Sequence, residues 1–323
     1  MEAPAPETFV GIDVSKAELA VAVGDDGPAF ALADSPEGHA ELVARLLPLR
    51  PRRVVMEATG RHEAAAAAAL AAAGLPVDVV NPKQAAAFAR AMGRLAKTDA
   101  IDARRLAAFA RALPGEPRPL PDAAARELDA LLARRRQLVG MRTMEANRLA
   151  ATASRRVARD IESHLRWLES HLKDVDRELG EKIRASPSWR EKDDLLRDVP
   201  GIGPVLSRTL LASLPEPGRL TGGQVSALAG VAPMAAESGA WKGRRRIQGG
   251  RAAVRSALYM AALAARRYNP APRAFADRLE SAGKPAKVIL IAVARKLLTI
   301  ANALLRDMKP WDPGRNAPTP DPA

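Results

Sequence analysis

Apolar positions in residues 8–114 switch between two periods. Short apolar or alternating runs at Thr8–Val14, Glu18–Val23 and Pro28–Ala33 are joined by SKA and by the turn GDDG, and predict three strands. Ser35–Leu47 carries helical spacing, with Ser35 placed to cap, Pro36 at the first helical position and Glu37 in the first turn. Arg53–Glu57 predicts a strand, Gly60–Ala73 a helix ended by Gly74, Val77–Val80 a further strand, and Pro82–Met92 another helix.

Three strands followed by alternating helix and strand match the layout of an RNase H-like fold, an α/β layering. Leu113–Pro121 then places four prolines in nine positions, which predicts a domain boundary near 118. Beyond it, 119–187 is highly charged with a helical apolar repeat. Val157, Ile161, Leu165, Leu168, Leu172, Val175, Leu179 and Ile183 recur at steps of three and four, a coiled-coil seam. Leu128, Leu131, Leu138 and Leu149 form a weaker seam before it. A helical hairpin turning near Ala151–Ser154 would pack the two seams together; one long helix pairing between subunits is the alternative. Residues 188–312 read as a mainly helical C-terminal domain, and 313–323 as a disordered Pro-rich tail.

Charge changes the picture more than composition does. Lys and Arg outnumber Asp and Glu by 50 to 37 over 323 residues, giving +13. That favours a polyanionic partner. The first residues, MEAPAPE, do not predict a signal peptide, and the alanine-rich uncharged stretch Ala64–Val77 is too short to span a bilayer, so a membrane partner is not expected. There is no cysteine, which excludes disulfides, thiolate zinc sites and a Cys nucleophile. The expected setting is cytoplasmic and nucleoid-associated.

Four carboxylates stand out. Asp13 sits within FVGIDVSKAELAVAV, Glu57 ends RRVVMEATG, and Asp99 and Asp102 lie three apart in KTDAIDARRLA. A carboxylate in an apolar strand is costly to bury without compensation. Asp99 and Asp102 share one helix face, with Cβ atoms about 5–6 Å apart. Four such groups in one pocket would suit a hard divalent cation, Mg²⁺ or Mn²⁺, rather than zinc. Capping roles are the alternative: Asp99 as an N-cap with Asp102 in the first turn, and Glu57 capping the helix that follows it.

The C-terminal domain carries a second constellation. From Trp241 to Arg273 there are nine Lys or Arg and no Asp or Glu. Lys242, Arg244, Arg245, Arg246, Arg251 and Arg255 crowd its first half among glycines, as a phosphate-gripping loop would. If about six of these cations neutralise phosphates, log K should fall with log salt at a slope near −5. Ser238 heads the segment in AESGAWKGRRRIQGG, where it is either a nucleophile beside guanidinium groups or an ordinary Ser-Gly turn. Val199–Pro204, VPGIGP, has the look of a helix-hairpin-helix loop whose Gly201 and Gly203 would let backbone N–H groups approach phosphate; a plain Gly-rich helix connection is the alternative.

In this order, VGIDVSK, VVMEATGRHE, VVNPKQAAAFARAMGRLAKTDAIDARRLA, VPGIGP and SGAWKGRRRIQGGRAAVRSALYMAALAA resemble the DEDD transposases of bacterial insertion sequences, the IS-one-ten type, over about 8–310. The resemblance implies a RuvC-like N-terminal domain, a coiled coil and a C-terminal transposase domain. It implies that Asp13, Glu57, Asp99 and Asp102 are the metal-binding D, E, D, D, and that Ser238 joins covalently to DNA. It further implies guidance by a bridge RNA, and a homo-oligomer, dimer or tetramer, in which subunits complete one another's sites. The low aromatic content, 3%, fits a protein that grips backbones rather than stacking bases. The expectation is an RNA-guided DNA recombinase. A hydrolytic Holliday-junction-type nuclease and a non-enzymatic nucleic-acid scaffold are the rivals.

Overall fold

The computed structural model describes residues 7–312, apart from 59, 61, 94–97, 114, 115, 118, 119, 121, 215, 236, 239, 240 and 244, with 241 and 242 described in backbone only. The expected tail at 313–323 lies outside the described residues. The chain divides into two compact units, Met1–Asp122 and Ala123–Ala323.

The first unit is built on a five-stranded sheet. Its strands are β1 (Phe9–Val14), β2 (Glu18–Val23), β3 (Ala29–Ala33), β4 (Arg53–Glu57) and β5 (Val77–Val80), in the order β3-β2-β1-β4-β5. The β1–β2 and β2–β3 pairs are antiparallel, and β1–β4 and β4–β5 parallel. This is the mixed sheet of an RNase H-like domain. Its helices are α1 (Pro36–Leu46), α2 (Glu63–Ala72), α3 (Pro82–Ala91) and α4 (Asp99–Ala112). Ser35 caps α1 by accepting from the Gly38 N–H, as its position before Pro36 predicts.

Strand alternation sorts the side chains onto two faces. Val10, Ile12 and Val14 of β1, with Val54 and Met56 of β4, pack with Leu42 and Leu46 of α1 and Leu70 of α2. The residues between them face the other way. There Val55 and Val80 pack with Leu106, Phe109 and Ala110 of α4, and Ala20 and Ala22 with Ala103. Each face thus has its own helical cover.

The second unit is helical. A hairpin of α5 (Ala123–Ala151) and α6 (Arg155–Ala185) turns at residues 152–154, as the hairpin reading of the seams has it. Ile161, Leu168, Leu172, Leu179 and Ile183 are buried along α6, and Leu128 and Leu138 along α5. Leu132, absent from the expected seam, is buried too, whereas Val157, at the turn end, is exposed. The base of the hairpin shares one apolar core with α7 (Pro187–Arg197), α8 (Pro204–Ser213), α9 (Gly222–Ala229), α10 (Ala252–Tyr268), α11 (Pro270–Ser281) and α12 (Ala286–Asp307). Ser186 both closes α6 and caps α7. Among the described residues one helix, α12, is long and apolar enough to cross a membrane by length and composition, but 56% of its most apolar window is buried inside the unit.

Buried polar groups tie this unit together. Asp193 of α7 accepts a 2.5 Å hydrogen bond from the fully buried Ser207 hydroxyl of α8. Burial pulls the neighbouring Arg208 guanidinium below its ordinary value, while the Asp193 and Asp176 charges oppose that fall. Asp193→Ala would orphan the Ser207 hydroxyl and remove one of the charges that steady Arg208. The expected loss is about 2–3 kcal/mol, read by calorimetry as a melting temperature lower by roughly 4–12 °C.

Candidate active site: a carboxylate face and a basic serine loop

Ile12 pairs with Met56 across the parallel β1–β4 ladder. Both belong to the core under α1 and α2, so the next residues, Asp13 and Glu57, turn to the α4 face. They stand side by side at the C-terminal ends of adjacent parallel strands, and both are half-buried. In open α/β sheets that end is where ligands collect.

The other two carboxylates come from α4, and Gly11 decides how closely. A Cβ on Gly11 would lie 2.0 Å from the Ala103 carbonyl oxygen and 2.2 Å from the Ala107 nitrogen. The α4 backbone therefore rests directly on β1 at this one position. Arg53, only 3% exposed, donates to the Leu113 carbonyl at 2.8 Å and pairs with Asp78 at 3.3 Å. That pins the C-terminal end of α4 at the start of β4. The helix thus runs back along the sheet, and its first turn, with Asp99 and Asp102, lies toward the strand ends that carry Asp13 and Glu57. Thr98, not Asp99, caps α4, accepting from the Ile101 N–H at 3.2 Å. This removes the capping reading of Asp99, which is exposed at the first helical position.

All four carboxylates are placed at one end of one sheet face. They do not close into a ligand shell: among the described residues no group of three or more His, Asp or Glu side chains is near enough to hold a metal ion. The Asp102 carboxylate is instead held by Arg105 at 2.6 Å, one turn along α4. The chemistry of the donor set still fits a hard cation, because every donor is a carboxylate oxygen. Neither Gly11 nor Arg105 was singled out from the sequence. The signal for Gly11 was available, since a glycine inside an apolar strand marks close backbone approach.

The second constellation lies in the second unit. Between α9 and α10 the chain forms two short antiparallel pairs. The outer pair is β6 (Pro233–Met234) with β9 (Arg246–Ile247), and the inner is β7 (Glu237–Ser238) with β8 (Trp241–Lys242). Ser238 is exposed on the inner ribbon, opposite Trp241. Arg245 and Arg246 are exposed, Arg245 only loosely paired to Glu237 at 3.9 Å. Arg244 and the Lys242 side chain lie outside the described residues.

Arg251 and Arg255 are engaged within the fold. Arg251 makes a two-pronged bond to Glu216 at 2.5 and 2.6 Å, and Arg255 donates to the Gly249 carbonyl at 2.6 Å. Both act here as hooks that fasten the Gly249–Gly250 turn at the head of α10. That leaves fewer cations for phosphate than the six counted from sequence.

VPGIGP joins α7 to α8 as a tight turn, in which the Ile202 N–H donates to the Val199 carbonyl at 2.9 Å. Gly201 needs its freedom for two reasons: its φ is +102°, and a Cβ there would lie 2.5 Å from the Ala265 Cβ. Gly203 opens α8 with nothing near its Cβ position. The buried Asn269 side chain donates to the Pro200 carbonyl at 3.0 Å and fixes the turn against α10 and α11.

A mixed sheet with carboxylates at its strand ends, followed by a basic helical unit, is the RNase H-like layout that the sequence leads one to expect. Comparison with known proteins gives the family. A transposase model of the DEDD, IS110 type matches residues 10–155, and the transposase model of the IS116/IS110/IS902 family matches 193–277. The chain belongs to the IS110-type transposases.

The pilin gene-inverting proteins of Moraxella bovis and Moraxella lacunata are each 29% identical over 322 residues, covering 95% of this chain and 98% of theirs. An IS900 42 kDa protein of Mycobacterium paratuberculosis is 29% identical over 176 residues, 51% of this chain and 40% of that one. The Thermus thermophilus RuvC structure aligns with 34% of this chain and 99% of its own, at 21% identity and a TM-score of 0.26.

Proposed function

We propose that this transposase is a divalent-metal-dependent, RNA-guided recombinase that cuts and rejoins DNA through a phosphoserine link at Ser238. The observation that carries the metal half is the β1–β4 register, which sets Asp13 and Glu57 side by side at the strand ends toward which the first turn of α4 points. Asp13, Glu57, Asp99 and Asp102 would hold Mg²⁺ or Mn²⁺. A bound ion would supply positive charge to the scissile phosphate, lowering the cost of charge built up in the transition state.

Ser238 supplies the nucleophile. Its oxygen bonds to the scissile phosphorus as the bond from phosphorus to one deoxyribose oxygen breaks, and that oxygen leaves as an alcohol carrying a proton. A hydroxyl on a second DNA end then attacks the phosphoserine, restoring the phosphodiester and the free serine. Arg245, which reaches Glu237 beside Ser238, and Arg246 are both exposed and would steady the phosphate oxygens. Gly201 and Gly203 would bring turn amides to the DNA backbone. Sequence would be read by pairing between a bridge RNA and DNA, with the protein holding duplex shape. Assembly as a dimer or tetramer, with the α5–α6 hairpin between copies, would let one subunit's carboxylates meet another's serine. A soluble, nucleoid-associated setting follows from these partners.

The pilin gene-inverting proteins of Moraxella, by their name, invert DNA, which supports recombination over simple hydrolysis. Ser238→Ala separates the readings. The expected result is loss of the covalent protein–DNA adduct on denaturing gels and loss of strand joining, with the melting temperature unchanged because Ser238 is exposed. Strand cleavage at the wild-type rate by the Ala variant would leave the hydrolytic junction nuclease as the correct reading.

A further inference from the structure

The turn before α12 and α12 itself carry a second basic run outside the serine loop. Between Glu280 and Asp307 the sequence has five Lys or Arg and no Asp or Glu. Three of the five, Lys287, Arg295 and Lys296, lie on α12 before its last turn, and Lys296 is half-buried. Its ammonium stands 4.8 Å from the centre of the Phe275 ring, and the Arg278 guanidinium stands 5.4 Å from the same ring. One aromatic ring of α11 is therefore shared by two cations.

Two other half-buried cations of the unit meet a carboxylate directly. Arg135 is paired with Asp176 and Arg251 with Glu216. Neither Lys296 nor Arg278 makes an ion pair among the described residues. Burial lowers the Lys296 pKa, and Arg278 lowers it further, with no carboxylate acting the other way. A half-buried ammonium with a like charge on the same ring is costly to keep charged, and an anion reaching it would relieve that cost. Partial burial against the ring restrains the Lys296 side chain, so less of its flexibility would be lost on binding.

We infer that Lys296 and Arg278, held over Phe275, form a phosphate-binding site for a nucleic-acid backbone, separate from the Ser238 loop. The ligand chemistry is a phosphodiester oxygen, offered equally by DNA and by a guide RNA. The inference rests on the nucleic-acid-binding part of the proposed function and not on the carboxylate site or Ser238.

The test uses the full chain without divalent ions, so that no cleavage step enters. Binding to a short duplex DNA, and to the RNA duplex of the same sequence, is measured between about 50 and 200 mM salt. For the double variant Lys296→Met, Arg278→Met, the salt slope is expected to fall by about two on whichever duplex occupies the site. Lys296→Arg should keep the wild-type slope. The melting temperature of Lys296→Met should equal or exceed that of the wild type, because an uncompensated charge has been removed. A slope unchanged on both duplexes overturns the site, as does a lower melting temperature with unchanged binding, which would make the pair structural. A slope that falls on one duplex alone assigns the site to DNA or to RNA. A defect in the proposed carboxylate chemistry would appear in cleavage assays and leave these slopes untouched.

Discussion

Gly11→Ala is expected to cost the first unit about 3–4 kcal/mol, at the upper end of the overpacking range because the obstruction is backbone. The added methyl would meet the Ala103 carbonyl oxygen and the Ala107 nitrogen at 2.0 and 2.2 Å. No side-chain rotation relieves contacts of that kind, so α4 must move off the sheet. Arg53 holds the far end of α4 through the Leu113 carbonyl, so the displacement falls on the first turn. That turn carries Asp99 and Asp102. Misplacing catalytic groups by about 1 Å costs on the order of 10²-fold in rate. Denaturant unfolding should show the stability loss, and residual strand transfer in the surviving folded fraction should be lower by at least that factor. Gly140→Ala provides the contrast, because nothing lies within 4 Å of its Cβ position in the middle of α5. That change is expected to stabilise by about 0.5–1 kcal/mol. If Gly11→Ala melted with the wild type and retained full activity, the close seating of α4 on β1 would be wrong.

The strands and helices of the first unit were legible because each carries its own local signal. Glu18–Val23, Arg53–Glu57 and Val77–Val80 fall where alternation and the flanking turns place them, and Ser35 caps as its neighbours predict. The parallel β1–β4 pairing is not written in either strand, so the adjacency of Asp13 and Glu57 came only with the fold. The basic loop shows the opposite case. Composition counted Arg251 and Arg255 among the phosphate-binding cations, but counting cannot see Glu216, which precedes Arg251 by 35 residues, or the Gly249 carbonyl. The Lys296–Phe275–Arg278 grouping joins two helices across about twenty residues, a distance at which no periodicity reports. Local spacing thus gave elements and candidate residues, while tertiary pairing decided which of them are committed to the fold.

Asp13→Asn is expected to lower metal-dependent strand cleavage by about 10²–10³-fold, the equivalent of several kcal/mol of lost charge stabilisation on the transferring phosphate. The substitution keeps the shape of the side chain and removes only its charge. Asp13 sits half-buried on β1, one residue past the Ile12–Met56 pair and on the sheet face that α4 covers. A purely structural Asp13 predicts a lower melting temperature with no change in response to metal. The separating measurement is the rise in melting temperature on adding Mn²⁺, which reports binding to the folded state without any turnover. Wild type should show a concentration-dependent rise that is weakened in Asp13→Asn and in Glu57→Gln. Asp102 enters the same argument with a difference: because Arg105 already neutralises it at 2.6 Å, Arg105→Gln should strengthen the Mn²⁺ response by removing a competing cation. Equal Mn²⁺ responses in the wild type and all three variants would place the metal, and the chemistry built on it, somewhere other than the end of this sheet.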